Sequence, residues 1–76
     1  LAVGEERIVT GTIGEVCPAG CWFYLHSKDA LIYVEVEGDF QVPQEASGRR
    51  ARLRARTSGL GGARTLHASR VTIFPP

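Results

Sequence analysis

The sequence has no methionine and no asparagine, and a single lysine stands against eight arginines. With no methionine at position 1, the expectation is a processed product, such as a protein that has lost a signal peptide, or a segment excised from a longer chain. Leu1 to Glu6 is itself too short an apolar stretch to be a signal peptide. The arginine bias and the missing asparagine hint at a thermophilic or GC-rich source. No run approaches the roughly eighteen apolar residues of a membrane span, so none is expected. Nothing carries the period of a long amphipathic helix. Cysteine occurs only twice, as Cys17-x-x-x-Cys21, which is not the C-x-x-C of thioredoxin-like proteins.

Catalytic patterns are also missing. His26-Ser27-Lys28-Asp29 contains suggestive residue types, but neighbours on one turn do not make a triad. Gly59-Leu60-Gly61-Gly62-Ala63-Arg64 is glycine-rich, yet it lacks the lysine and following helix of a phosphate loop. A hairpin turn explains it better. His67 reads as a surface histidine, and the carboxylates form no acid–base pair. The expectation is a protein that is not an enzyme and carries no cofactor.

What is present fits one small domain. The chain has 76 residues, of which 43% are apolar. A domain this size buries only about 60% of its unfolded surface, so its core is marginal. The net charge of +1 conceals an asymmetry. Residues 1–45 hold all eight acids with Arg7 and Lys28 as the only bases, a net charge of −6; residues 46–76 hold seven arginines and no acid, a net charge of +7. Either the halves neutralise each other across strand pairs, the favoured expectation, or the basic half presents a face to an anion.

Runs of β-branched and aromatic residues separated by turn signals predict five strands: Glu6 to Val16, Cys21 to His26, Ala30 to Glu37, Arg49 to Thr57 and Arg64 to Phe74. Gly11 and Gly14 predict a bend or bulge in the first. Pro43 to Gly48 is compatible with one helical turn, and Phe40 and Val42 are expected to plug one end of the core. Ser58 to Ala63 is read as the last hairpin loop. This is an all-β chain, a single domain over residues 1–76. It resembles the OB-fold, a small five-stranded Greek-key barrel, with the usual helix between strands three and four shortened or missing. An SH3-like barrel is the alternative. More narrowly, Gly14-Glu15-Val16-Cys17-Pro18-Ala19-Gly20-Cys21-Trp22 resembles a G-x-V-C-x-x-G-C-W motif of small, mostly exported bacterial OB-fold proteins of unknown function. That likeness implies an extracytoplasmic location slightly ahead of a cytoplasmic one.

Ligands of OB-folds bind on the face of strands two and three and on the loops 1–2 and 4–5. Side chains alternate along a strand. One face of strand two carries Cys21, Phe23 and Leu25, with Phe23 and Leu25 in the core. The outer face then shows Trp22, Tyr24, His26 and Tyr33, an aromatic surface for bases, sugars or a peptide, unless the rings serve only to stabilise the sheet. Glu35 and Glu37 share that face and disfavour phosphate there. On strand four, Arg50, Arg52, Arg54 and Arg56 form a ladder with about 6.6 Å between neighbours, opposite Ala51, Leu53 and Ala55. Such repulsion is answered by a polyanion, by acids such as Glu5, Glu6 and Glu15, or by leaving the strand as a solvated edge. Arg64 and Arg70 extend the basic surface.

Cys17 and Cys21 are candidates for a disulfide that closes a short hairpin loop, worth about 2 kcal/mol on the chain-entropy model, and that implies an oxidising compartment. Free thiols, one of them facing the core, are the alternative. Zinc needs about four ligands, and His26 lies at the far end of strand two, so no metal site is expected; thiol-based binding of a soft ion such as Cu(I) is a lesser reading, and a dedicated redox role for the pair is the weakest. The leading expectation is a binding module for single-stranded nucleic acid or another polyanion. Trp22, Tyr24 and Tyr33 would stack, and Arg52, Arg54, Arg56 and Arg64 would meet phosphates. The alternative is an exported accessory domain that binds a protein partner and is stapled by Cys17–Cys21.

Overall fold

Five strands and one short 3-10 turn make up the structure, a computed structural model that describes residues 6–57 and 65–76. The strands are β1 (Glu6–Val16), β2 (Trp22–Ser27), β3 (Ala30–Val36), β4 (Arg50–Thr57) and β5 (Thr65–Ile73), with the turn at Gln44–Ala46 between β3 and β4. The expected loop from Ser58 to Ala63, Glu5 and the candidate Arg64 lie outside the described residues.

The strands close into a barrel in the order β1-β2-β3-β5-β4. All neighbours are antiparallel except β3 and β5, which run parallel. This is an OB-like Greek-key barrel. Its long first strand serves two partners: Glu6 to Thr12 pair with β4, and Thr12 to Val16 pair with β2. That requires a sharp coil. The register of β1 on β2 slips between Ile13 and Val16, a bulge at the expected position. At Gly11 a Cβ would come within 2.5 Å of the His26 carbonyl oxygen, so only glycine lets β2 approach there.

The inward faces follow the alternation. Phe23, Leu25, Val34, Ala51, Leu53, Ala55 and Ala68 are fully enclosed. Ile32 and Val36 pack at the margin of this core. The end plug is Val42 and Ala46 rather than Phe40 with Val42: both former residues are buried, whereas Phe40 is half-buried and lines a surface cleft. The reason is backbone pairing. Val42 N–H donates to the Gly20 carbonyl at 3.1 Å, which turns Val42 inward and leaves Phe40 outside that contact.

Candidate binding surfaces and the cysteine loop

The β2–β3 register sets Tyr24 directly against Tyr33 and Trp22 against Glu35. The three rings gather on the outer face, with centroids 5.7 Å apart for Trp22–Tyr24, 5.9 Å for Trp22–Tyr33 and 5.7 Å for Tyr24–Tyr33. The two pairs involving Tyr24 meet edge to face, a favourable aromatic geometry. Partial burial, with the nearby Glu35 carboxylate, pushes the Tyr33 phenol above its ordinary value. His26 joins the outer face at the other end of β2, where its ring lies over Gly14: a Cβ there would sit 2.9 Å from His26 Nε2.

The arginine ladder stands on the exposed face of β4, with Ala51, Leu53 and Ala55 beneath it in the core. Its neighbours differ from the favoured expectation of neutralised halves. Along β1, Arg50, Arg52 and Arg54 face Thr12, Thr10 and Ile8; only Arg56 faces an acid, Glu6. Glu15 is no partner, because β1 has left β4 by Thr12. Along β5, Arg52 faces Thr72 and Arg54 faces Arg70, like charges directly opposite. Just past this pair the register slips, and Ser69 in the bulge donates to Glu6 Oε2 at 3.1 Å.

Among the described residues the ion pair to the ladder comes from Glu37, not from the candidates Glu6 and Glu15. The Glu37 carboxylate accepts from Arg56 Nη2, and this bond raises the Arg56 pKa above its ordinary value. His67 Nδ1 lies 3.6 Å from the same oxygen. Among the described residues no carboxylate pairs with Arg50, Arg52, Arg54 or Arg70. Arg52 instead lies over the Phe74 ring, 5.7 Å from its centroid. The ladder and the aromatic group therefore occupy different faces. β5 separates β3 from the ladder on one side, and β1 separates β2 from it on the other. Across β5 they stand two strand spacings apart, about 10 Å along the barrel wall.

The cysteine loop joins β1 to β2. Gly20 N–H donates to the Cys17 carbonyl at 2.8 Å, closing a tight turn over Pro18 and Ala19, and Cys17 N–H donates to the Trp22 carbonyl at 2.9 Å. Gly20 has φ +76°, and a Cβ on it would come within 2.8 Å of the Val42 carbonyl oxygen. The shielded thiol is Cys17, and Cys21 is exposed. The shared face with Phe23 and Leu25 would have turned Cys21 inward, but β2 begins at Trp22 and Cys21 still belongs to the turn. No disulfide joins the two cysteines in this structure, and their Sγ atoms lie 3.2 Å apart. The contact lowers the Cys17 pKa below its ordinary value, chiefly through the hydrogen bond from Cys21, and raises that of Cys21 through the same bond. Among the described residues no third His, Cys, Asp or Glu joins them in a metal-binding group.

Two contributors had no local signal in the sequence. Gln44 Nε2 donates to the carbonyls of Val16 at 2.9 Å and Cys17 at 2.8 Å, which fastens the 3-10 turn to the loop. Glu37 meets Arg56 across 19 residues. Compared with known proteins, the chain matches no protein-family model and no curated sequence.

Proposed function

We propose that the chain is a non-enzymatic binding module for an extended anionic ligand, with single-stranded nucleic acid as the leading class. The observation that carries this reading is the incompletely answered ladder: Arg50, Arg52, Arg54 and Arg70 are exposed and have no carboxylate partner among the described residues. Aligned arginines of this kind suit a backbone of phosphates, whose counterions are released on binding. The aromatic group supports the choice of nucleic acid, since any base can stack there at about 1–3 kcal/mol. Glu35 opposite Trp22 keeps phosphate off the aromatic face. The bases would lie on β2 and β3, and the backbone would pass over β5 to the ladder.

The test is titration of a labelled mixed-sequence oligonucleotide at several salt concentrations, with Trp22 emission followed in parallel. Wild type should bind reversibly with salt and quench Trp22. Combining Arg52→Glu with Arg54→Glu should weaken binding more than about tenfold and flatten the logarithmic salt slope by about 0.7 for each lost contact. Unaltered binding by that variant, or none by wild type at low salt, sinks the proposal. A second reading, an exported accessory domain stapled by Cys17–Cys21 that binds a protein partner, is favoured by the 3.2 Å approach of the two sulfurs. Two freely alkylated thiols in unreduced protein from its source cell would end it.

A further inference from the structure

We infer that Cys21 and Cys17 form a thiol–disulfide exchange pair, in which exposed Cys21 meets a small disulfide in the adjacent cleft and shielded Cys17 resolves the mixed disulfide. This is independent of the anion-binding reading.

Three observations carry it. The first is the asymmetry of the two thiols. Cys21 is exposed and Cys17 buried, with their sulfurs 3.2 Å apart. An attacking thiol has to be reachable, and a resolving thiol has to be near and shielded from competing reactions. The second is a scaffold that does not depend on a sulfur–sulfur bond. The Cys17 backbone is held by Trp22, Gly20 and Gln44; that of Cys21 is held by Val36, whose N–H donates to the Cys21 carbonyl at 3.0 Å. The sulfurs therefore stay aligned in the dithiol form, so the bond can open and re-form without rebuilding the loop. The third is a cleft of about 460 Å³ with Cys21 in its wall beside Val36, Phe40 and Gln41. It offers apolar surface and a polar edge to a small organic disulfide. The sulfur–sulfur hydrogen bond favours the thiolate on Cys17 and holds the proton on Cys21, so that proton has to pass to Cys17 before Cys21 attacks.

The step balances as follows. The single remaining thiol proton moves between the sulfurs to Cys17, leaving Cys21 as thiolate. Cys21 Sγ attacks one sulfur of R–S–S–R; a Cys21–S–S–R bond forms, the R–S–S–R bond breaks, and one RS⁻ leaves. Cys17, as thiolate, then attacks Cys21 Sγ, forming the Cys17–Cys21 bond and expelling the second RS⁻. The two thiol protons pass to the two leaving thiolates. The protein dithiol loses two electrons, and one disulfide becomes two thiols. Excess thiol drives the reverse.

The test is equilibration of the folded, reduced protein in mixtures of oxidised and reduced glutathione, followed by acid quenching, alkylation and intact-mass measurement. Wild type should lose both thiols together, without a lasting glutathione adduct, and should regain both when reduced glutathione is in excess. Cys17→Ser should stop at one glutathionyl group on Cys21. Cys21→Ser should be modified about tenfold more slowly, as a shielded thiol is. Thiols inert to oxidised glutathione, stable adducts on wild type, or a bridge that excess reduced glutathione fails to open would each overturn the inference.

Discussion

At the residue scale, the aromatic surface changes the chemistry of one of its own members. Tyr33 packs against both Trp22 and Tyr24, with the Glu35 charge nearby, and its phenol is held above the ordinary value by lost hydration first and by that charge second. The folded state thus favours the protonated form. The resulting stability is complete below the unfolded value of about 10 and is lost as the pH rises through the folded value. In an absorbance titration of tyrosinate, the wild type should show a component that ionises above that of free tyrosine, and Tyr33→Phe should lack it. Identical curves for the two proteins would remove the assignment. The alternation of β2 and β3 placed this ring on the outer face in advance. The identity of the buried cysteine was not equally legible, because alternation applies within a strand and Cys21 falls one residue before β2.

At the element scale, β4 carries both stability and the proposed binding. Its inner residues Ala51, Leu53 and Ala55 are wholly enclosed, and this follows from a period of two that is plain in Arg-Ala-Arg-Leu-Arg-Ala-Arg. Its outer residues repel one another, most directly where Arg54 faces Arg70. A surface kept for an anion should therefore stabilise when the repulsion is reversed. Arg70→Glu should raise unfolding free energy by about 0.2–1 kcal/mol in chemical denaturation and at the same time weaken oligonucleotide binding. A loss of stability would contradict the repulsion, and unaltered binding would take Arg70 out of the proposed surface. The sequence showed the ladder but not its neighbours. Glu6, Glu15 and Glu37 are equally charged, and only the staggered pairing of β1 and the exit of the chain from β3 decide which of them reaches Arg56.

At the scale of the whole molecule, closure matters most. Every strand has two neighbours, so each inner face borders one shared core. Phe23 is its largest fully enclosed side chain, and β2 holds it between β1 and β3. Phe23→Ala should cost about 3–5 kcal/mol, a large share of the stability of so small a domain. Its amide spectrum should lose dispersion, or its denaturation midpoint should fall steeply; a midpoint close to wild type would show that the core collapses around the gap. Closure also sets what can act together. The β2–β3 hairpin gathers the three rings, and closure puts β5 between β3 and the ladder.

The sequence by itself determined the strands, the bulged first strand, the short turn after Pro43 and the inward and outward sets of each strand. These depend on neighbours in the chain: side-chain alternation, turn residues and the glycines that permit close approach. Tertiary structure alone decided the parallel pairing of β3 with β5, the partner of Arg56, the Arg54–Arg70 opposition, and the Gln44 clamp that holds Cys17 beside Cys21. Each of these joins residues from separate elements. Their meeting depends on strand order and stagger around the barrel, and no local pattern encodes either one.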